Sequence, residues 1–465
     1  MTRIPLESNV DEPSVEQTNS LDIPLELFGQ NDLLSIMTPF VYIFPSLEPD
    51  IAHLTEVIEA GLTRFTEYFP WVAGRITNTG RTNESSGVFK ITRHKSRPDL
   101  TVKDWRQDVR VPTMDQLVTA EVPCSMLKEE FFAPVHVNIT PGSETEDRSP
   151  VLQLQLSFIV GGAVLTIMGN HQALDGTAQD QLAFLLDKSC NDIPYTKEEV
   201  RIGNLPRERI VEPFNSDWQP PARESCIQTS KPTQGQPSSL PEYRWTHVLF
   251  SSSALSTLKS EVSHDLGSGF VSTDDALTAL LWRSLARARS ERLPSSTLTT
   301  IGRAVNPRRY LDIPATYPGY INNNAYSTDS IGSLSRRSLS SIALDLRAKV
   351  DPETSQLGES TKGIATMLYR AEDKNTVMMH GTLDPTCDLM LSSWASMRGY
   401  DFDFGLRLGK PTYFRRMDHQ RIPSLAFFLP KRPNGEIGLS MCLRTDDIAC
   451  LRLDQTFTKY GRFIS

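Results

Sequence analysis

The segment His171-Gln-Ala-Leu-Asp175-Gly176 brings together residue types able to move a proton. Imidazole is the side chain best matched to general-base work near neutral pH. The apolar run Ala163-Val-Leu-Thr-Ile-Met168 precedes it and reads as a buried strand. A histidine at the end of such a strand can be held rigidly with its ring facing a cleft. A lone histidine there is more often structural, and the spacing H-x-x-x-D alone carries little information. The chain has a second copy, His380-Gly-Thr-Leu-Asp384, followed by Pro385 and by no amphipathic helix. That copy reads as a chance match. The strand, the glycine and the helix behind it set the first copy apart, as a base for an alcohol or an amine.

Two further segments could contribute. Ser392-Ser-Trp394 closes an apolar strand, and its hydroxyl and indole N–H could donate to a developing oxyanion. In Asp401-Phe-Asp403-Phe404-Gly405-Leu-Arg-Leu-Gly409-Lys-Pro411, two glycines bracket a turn, where backbone must pass closely or take positive φ. Taken alone, that loop reads as packing.

These residues need elements to hold them. Phe40–Phe44 and Gly87–Ile91 read as strands, and Leu152, Leu154, Leu156 and Phe158 alternate with polar residues as in a half-buried strand. Gly161-Gly162 suits a hairpin turn. Ile51, Leu54, Ile58, Leu62, Phe65 and Phe69 recur at helical spacing up to Pro70. Thr177 is the expected N-cap of the helix carrying Leu182, Leu185 and Leu186. In the second half, Trp245–Phe250 reads as a strand, a serine run leads into a helix, and Ser272-Thr-Asp-Asp starts another with acids in its first turn. Further strands are expected at Cys387–Trp394, Ser424–Leu429 and Ile437–Leu443. The mixture indicates two α/β domains with mixed sheets. Expected boundaries are a polar tail at 1–20, an N-terminal domain at 21–190, a Pro- and Ser-rich crossover at 191–243 and a C-terminal domain at 244–465.

A chain of 465 residues exceeds one ordinary core. Its net charge of −8 argues against a general nucleic-acid binder. No apolar run approaches the ~20 residues that span a bilayer. The acidic start has no apolar h-region, so no signal peptide is expected. The six cysteines are scattered without a C-x-x-C pair, so neither a metal site nor a disulfide framework is expected. A cytoplasmic setting follows. The charged run Arg415-Arg416-Met-Asp-His-Gln-Arg421 reads as solvated surface.

In combination, these motifs resemble the BAHD acyltransferases, CoA-dependent enzymes with an H-x-x-x-D-G motif and a distant D-F-G-W-G motif. The likeness runs from about Leu25 to the C-terminus. It includes Tyr68-Phe-Pro-Trp-Val-Ala-Gly-Arg75, Val271-Ser-Thr-Asp-Asp through Trp282, Val305-Asn-Pro-Arg308 and Tyr317-Pro-Gly319. Leu391-Ser-Ser-Trp-Ala395 and Phe404–Pro411 resemble a fungal branch of trichothecene O-acetyltransferases. Two departures stand out. The loop is Asp403-Phe-Gly-Leu-Arg-Leu-Gly409 without the family's Trp, and Asn170 precedes His171 where the related condensation domains often carry a second His.

The resemblance implies two chloramphenicol-acetyltransferase-like domains with an active-site channel at their interface and His171 midway along it. His171 would be the base for direct attack of an alcohol on acyl-CoA, with the acetyl thioester as the donor in this branch. Asp175 would not be a triad acid but the partner of Arg308, and Gly176 completes the motif. Ser392 and Trp394 would serve the oxyanion. Ser252, Ser253 and Lys259 lie where the family holds CoA, with Arg303 and Lys410 as further cations. Arg308, Asp403, Phe404, Gly405 and Gly409 would be structural. The implied partners are acyl-CoA and a small-molecule alcohol, a terpenoid or alkaloid, with no metal, no tightly bound cofactor, no nucleic acid and no membrane, in a monomer. The alternatives are condensation with a carrier-protein thioester and a catalytically silent ligand-binding relative. Asn170 weighs against the first, and the intact His171, Asp175 and Gly176 weigh against the second.

Overall fold

A computed structural model describes residues 21–134, 149–220, 242–264, 266, 269–377, 383–417 and 421–464. The tail at 1–20, the crossover stretch 221–241 and His380 lie outside the described residues.

Three sheets form the frame. A five-stranded sheet runs in the order Tyr413–Arg415, Met37–Pro45, Gly162–Asn170, Leu152–Ile159, Asp99–Asp104. Its centre is the antiparallel pair of Met37–Pro45 and Gly162–Asn170, in which Met37 faces Asn170. Leu152–Ile159 and Gly162–Asn170 form the expected hairpin, with Gly161 at φ +87° in the turn. A seven-stranded sheet orders Asn323–Ser330, Leu298–Val305, Leu389–Ser393, Leu425–Phe428, Ile437–Arg444, Tyr243–Phe250, Gly461–Phe463. Within it Leu298–Val305, Leu389–Ser393 and Leu425–Phe428 are parallel, so the carboxyl ends of all three lie at one edge. A smaller four-stranded sheet joins Asp22–Pro24, Val88–Thr92, Arg75–Thr79 and Ser149–Pro150.

Helix Ile51–Tyr68 forms where the apolar spacing places it, and it packs against helix Gly176–Cys190. Helix Thr273–Arg289 begins with a full capping box between Ser272 and Asp275. One cap differs from the sequence expectation. The motif helix is capped by Asp175, whose Oδ1 accepts from Ala178 N at 2.8 Å, and Thr177 already lies inside the helix. Asp is as good a cap as Thr, and it stands where the strand-to-helix turn ends. Ser252 and Ser253 open helix Ser252–His264, while Ser251 Oγ accepts from Ala254 N.

The halves of the chain do not separate cleanly at residue 244. Tyr413–Arg415 pairs with Met37–Pro45 and completes the sheet of the first half. Trp394, Tyr400, Phe402, Phe404, Leu406 and Phe414 are buried in the same core as Phe40, Tyr42, Ile58, Phe65 and Leu182. Large aromatic surfaces leave water most effectively inside an existing core, so this excursion ties the halves together. The crossover is also more than a linker. It forms helix Lys197–Gly203, Gly203 O accepts from Trp71 Nε1, and Ile202 and Val211 are buried. The basic run is corrected too: Arg415 and Arg416 are buried rather than solvated. Arg415 donates to Val122 O and Phe414 O, and Arg416 lies 3.7 Å from the centroid of the Phe427 ring.

Candidate active site

Strand Gly162–Asn170, buried throughout, delivers a tight turn at Asn170–Leu174. Ala173 N and Leu174 N both donate to Asn170 O, and Gln172 N donates to Asn170 Oδ1. His171 N donates to Ile36 O, which fixes the residue's backbone against the neighbouring strand. Its Nδ1 lies 2.9 Å from Leu174 O. A carbonyl oxygen only accepts, so Nδ1 carries the hydrogen and Nε2 keeps its lone pair. Tyr320 meets the ring edge-on, with centroids 5.3 Å apart and planes at 89°.

Burial pushes the His171 imidazole below the ordinary histidine value of 6.5, with a smaller push from Arg416. The bond to Leu174 O and the Asp175 carboxylate oppose it without reversing it. The ring is therefore neutral at pH 7, the form a general base needs. With a neutral base, kcat/KM should be flat through neutral pH and fall only as pH drops through this depressed value. A pH–rate profile checks it, and an acid limb centred above 6.5 would contradict it.

Asp175 does not reach the imidazole as a triad acid does. Its Oδ1 caps the motif helix, and its Oδ2 accepts from Arg308 Nη2 at 2.8 Å and from Ile321 N at 2.9 Å. Arg308, 1% exposed, also donates to Tyr317 O, Gly319 O and Asn306 Oδ1. The pair thus fastens the motif turn to the Tyr317–Ile321 loop of the second half.

A cavity of about 990 Å³ opens beside this turn, lined from both halves by Asp175, Gly176, Ser392, Trp394, Ser252 and Lys259, among others. It lies at the carboxyl ends of the parallel strands Leu298–Val305 and Leu389–Ser393, where side chains converge without blocking the opening. His171 is not on its wall, which begins four residues further on at Asp175. Gly176 sits against the Trp394 side. A Cβ there would come within 2.8 Å of Met397 Cε and 3.6 Å of Trp394 Nε1. Trp394 is held in an aromatic cluster, with centroids 5.1 Å from Phe40 and 5.3 Å from Phe427. Arg416 stacks on it at 5.0 Å.

The remaining predicted residues divide. Ser252 and Lys259 line the cavity, whereas Ser253 points to Ser251 and is exposed. Lys259 Nζ also donates to Val271 O. Arg303 lines the cavity, but its guanidinium is committed to Asp274 at 2.8 Å, Asp275 at 3.0 Å and Leu346 O. It braces the wall rather than offering a free cation. Lys410 sits 3.7 Å from Asp401 at the surface, away from the lining. Arg309, Arg347 and Lys431 supply lining cations that the sequence reading missed. Arg309 had a signal, its place beside Arg308.

The Asp403–Gly409 loop stands apart from the cavity. Asp187, on the motif helix, accepts from Asp403 N and Phe404 N through Oδ1. Asp403 Oδ1 accepts from Gly405 N and Asn191 Nδ2. Gly405 has φ +64°, and a Cβ there would lie 2.5 Å from Cys190 O. Only glycine permits that approach. Two turns earlier on the same face of that helix, Asp180 holds Arg398 at 2.9 Å. The motif helix is therefore gripped twice by the second half.

Among the described residues, no group of three or more His, Cys, Asp or Glu is placed to hold a metal ion, and no helix is long and apolar enough to cross a membrane.

Comparison with known proteins decides the family. Residues 36–190 match the trichothecene 3-O-acetyltransferase-like N-terminal domain, and residues 123–458 match the transferase family. The chain belongs to the BAHD transferase family. It is a CoA-dependent O-acyltransferase. An O-acetyltransferase of Cryptosporiopsis sp. is 40% identical over 96% of this chain and 98% of its own length. The trichothecene 3-O-acetyltransferase of Fusarium sporotrichioides is 36% identical over 97% and 99%. The crystal structure of the F. graminearum counterpart, complexed with coenzyme A and T-2 mycotoxin, superimposes with a TM-score of 0.90 at 35% identity, covering 96% of this chain and all of that one. Vinorine synthase, at 18% identity and a TM-score of 0.63, shares the fold. This BAHD member thus has the two-domain chloramphenicol-acetyltransferase-like architecture, with mixed sheets flanked by helices.

Proposed function

We propose that this acyltransferase moves an acetyl group from acetyl-CoA to a hydroxyl of a secondary metabolite, a terpenoid or alkaloid alcohol, with His171 as the general base. The observation that carries the assignment is the Nδ1–H bond to Leu174 O, which leaves Nε2 as the one basic nitrogen of a neutral ring. Nε2 takes the hydroxyl proton as the alcohol oxygen attacks the thioester carbonyl carbon. The tetrahedral oxyanion collapses, the C–S bond breaks, and the proton passes to the CoA thiolate. No covalent acyl-enzyme is needed.

Ser392 and Trp394 are the oxyanion donors in this reading. Their support is their place on the cavity wall, Trp394 beside Gly176. Ser252, Lys259, Arg309, Arg347 and Lys431 line the side suited to an anionic CoA. Arg308, Asp403, Phe404, Gly405 and Gly409 hold the frame. The O-acetyltransferase relatives support an acetyl donor, and the T-2 mycotoxin complex of the F. graminearum enzyme supports a terpenoid acceptor. The reading extends to a monomer in the cytoplasm, on the grounds of charge, cysteine usage and family resemblance.

The test is release of free thiol from acetyl-CoA in the presence of a panel of terpenoid and alkaloid alcohols. At least one alcohol should release thiol stoichiometrically with acetyl ester. Trp394→Phe keeps the aromatic packing and removes the N–H, and should lower that rate by about 10²–10³. Thiol release with none of the panel, or an unaltered rate in Trp394→Phe, would count against the corresponding assignment.

A further inference from the structure

Arg207 lies in the crossover, in a stretch that the sequence marks only as Pro-rich and charged. Its side chain is 4% exposed and reaches three separate segments. Nη1 donates to Glu26 Oε1 at 2.9 Å and to Ala173 O at 3.2 Å, and Nη2 donates to Pro318 O at 3.2 Å. The guanidinium also lies 4.0 Å from the centroid of the Trp71 ring. Ala173 belongs to the motif turn, two residues after His171. Pro318 belongs to the loop that Arg308 holds through Tyr317 O and Gly319 O.

Glu26 completes the arrangement. It is fully buried, and its Oε1 accepts from Tyr317 Oη at 2.6 Å as well as from Arg207. Gly319 passes so close that a Cβ there would overlap Glu26 Oε1. Two buried ion pairs, Arg308–Asp175 and Arg207–Glu26, therefore grip the same two segments. One takes the far end of the motif turn, the other its middle. Tyr320, the residue packed against the His171 ring, lies between the loop residues that they hold.

We infer that Arg207 is a positioning residue of the acyl transfer: with Glu26 it sets the spacing between the His171 turn and the Tyr317–Ile321 loop, and so the aim of the imidazole. The inference rests on His171 being the base. A planar guanidinium can serve three oxygens in fixed directions, which the point charge of lysine cannot. Loss of that constraint displaces the base without removing it, and displacements near 1 Å can cost about 10²-fold in rate.

The test compares Arg207→Met, Arg207→Lys and His171→Ala, with kcat expressed per CoA-binding site so that unfolded protein does not count. Arg207→Met should lower kcat roughly 10–100-fold, with the KM for acetyl-CoA within about twofold, because neither Arg207 nor its partners Glu26, Trp71, Ala173 and Pro318 line the cavity. Arg207→Lys should fall between wild type and Arg207→Met. If Arg207→Met does not fold, the lysine variant decides alone. A kcat per site within twofold of wild type in the folded variants overturns the inference, as does a loss confined to KM. An active His171→Ala would instead overturn the general-base reading, so the two failures are distinguishable.

Discussion

His171→Ala is expected to reduce acetyl transfer by at least about 10²–10⁴-fold while leaving the fold and CoA binding nearly intact. The alcohol proton has a pKa far above that of any free base at neutral pH, so attack on the thioester needs a base already in place. In the proposed mechanism the base is Nε2, because Nδ1–H is donated to Leu174 O. Alanine removes that nitrogen and opens a space beside Tyr320. It leaves the turn itself, which is held by Asn170, by the bond from His171 N to Ile36 O, and by Gln172 Nε2 donating to Gly29 O and Asn31 O. The lost bond to Leu174 O costs only about 1 kcal/mol. Thiol release should therefore collapse while calorimetric affinity for CoA and the melting temperature change little. Near-normal turnover would remove His171 from its role.

Asp175→Asn should have a different signature, in which stability and rate fall together. Asparagine is a competent helix cap, so the bond to Ala178 N survives. The charge does not, and Arg308 is left almost fully buried beside Tyr317 O and Gly319 O with no counter-ion. Breaking a buried pair in this way costs about 3–5 kcal/mol. The Tyr317–Ile321 loop then loses its fastening to the motif turn, and kcat falls with it. Combining Asp175→Asn with Arg308→Met should recover part of the stability, since no buried charge is then stranded, but not the rate. Denaturant midpoints and kcat for the two single variants and the double variant check this. A single variant with wild-type stability and a large loss of kcat would restore Asp175 as a direct participant.

These outcomes mark where sequence and structure part. The strand at Gly162–Asn170, the His171 turn that follows it and the helices at Ile51–Tyr68 and Thr273–Arg289 were legible in the chain. Each rests on residues within about twenty positions of one another: apolar period, a capping box, a glycine after an acid. The family resemblance added Arg308 as the partner of Asp175, and the 2.8 Å pair has that geometry. It also placed CoA near Ser252 and Lys259, both on the cavity wall.

Other features had no local sign. Arg416 sits in a run of charges that any hydropathy reading puts in water, yet it is buried on Phe427 and Trp394, because the short strand Tyr413–Arg415 is drawn into the sheet of the other half. Arg303 reads as a free cation until Asp274 and Asp275 are seen beside it. Arg207 reads as linker, although it bridges residues 181 positions before it and 111 after it. Local sequence determined which residues could do the chemistry, since backbone period and capping act over a few residues. Only the tertiary structure decided which charges are paired, what holds the His171 turn and where the halves interlock, since those depend on contacts between segments a hundred or more residues apart.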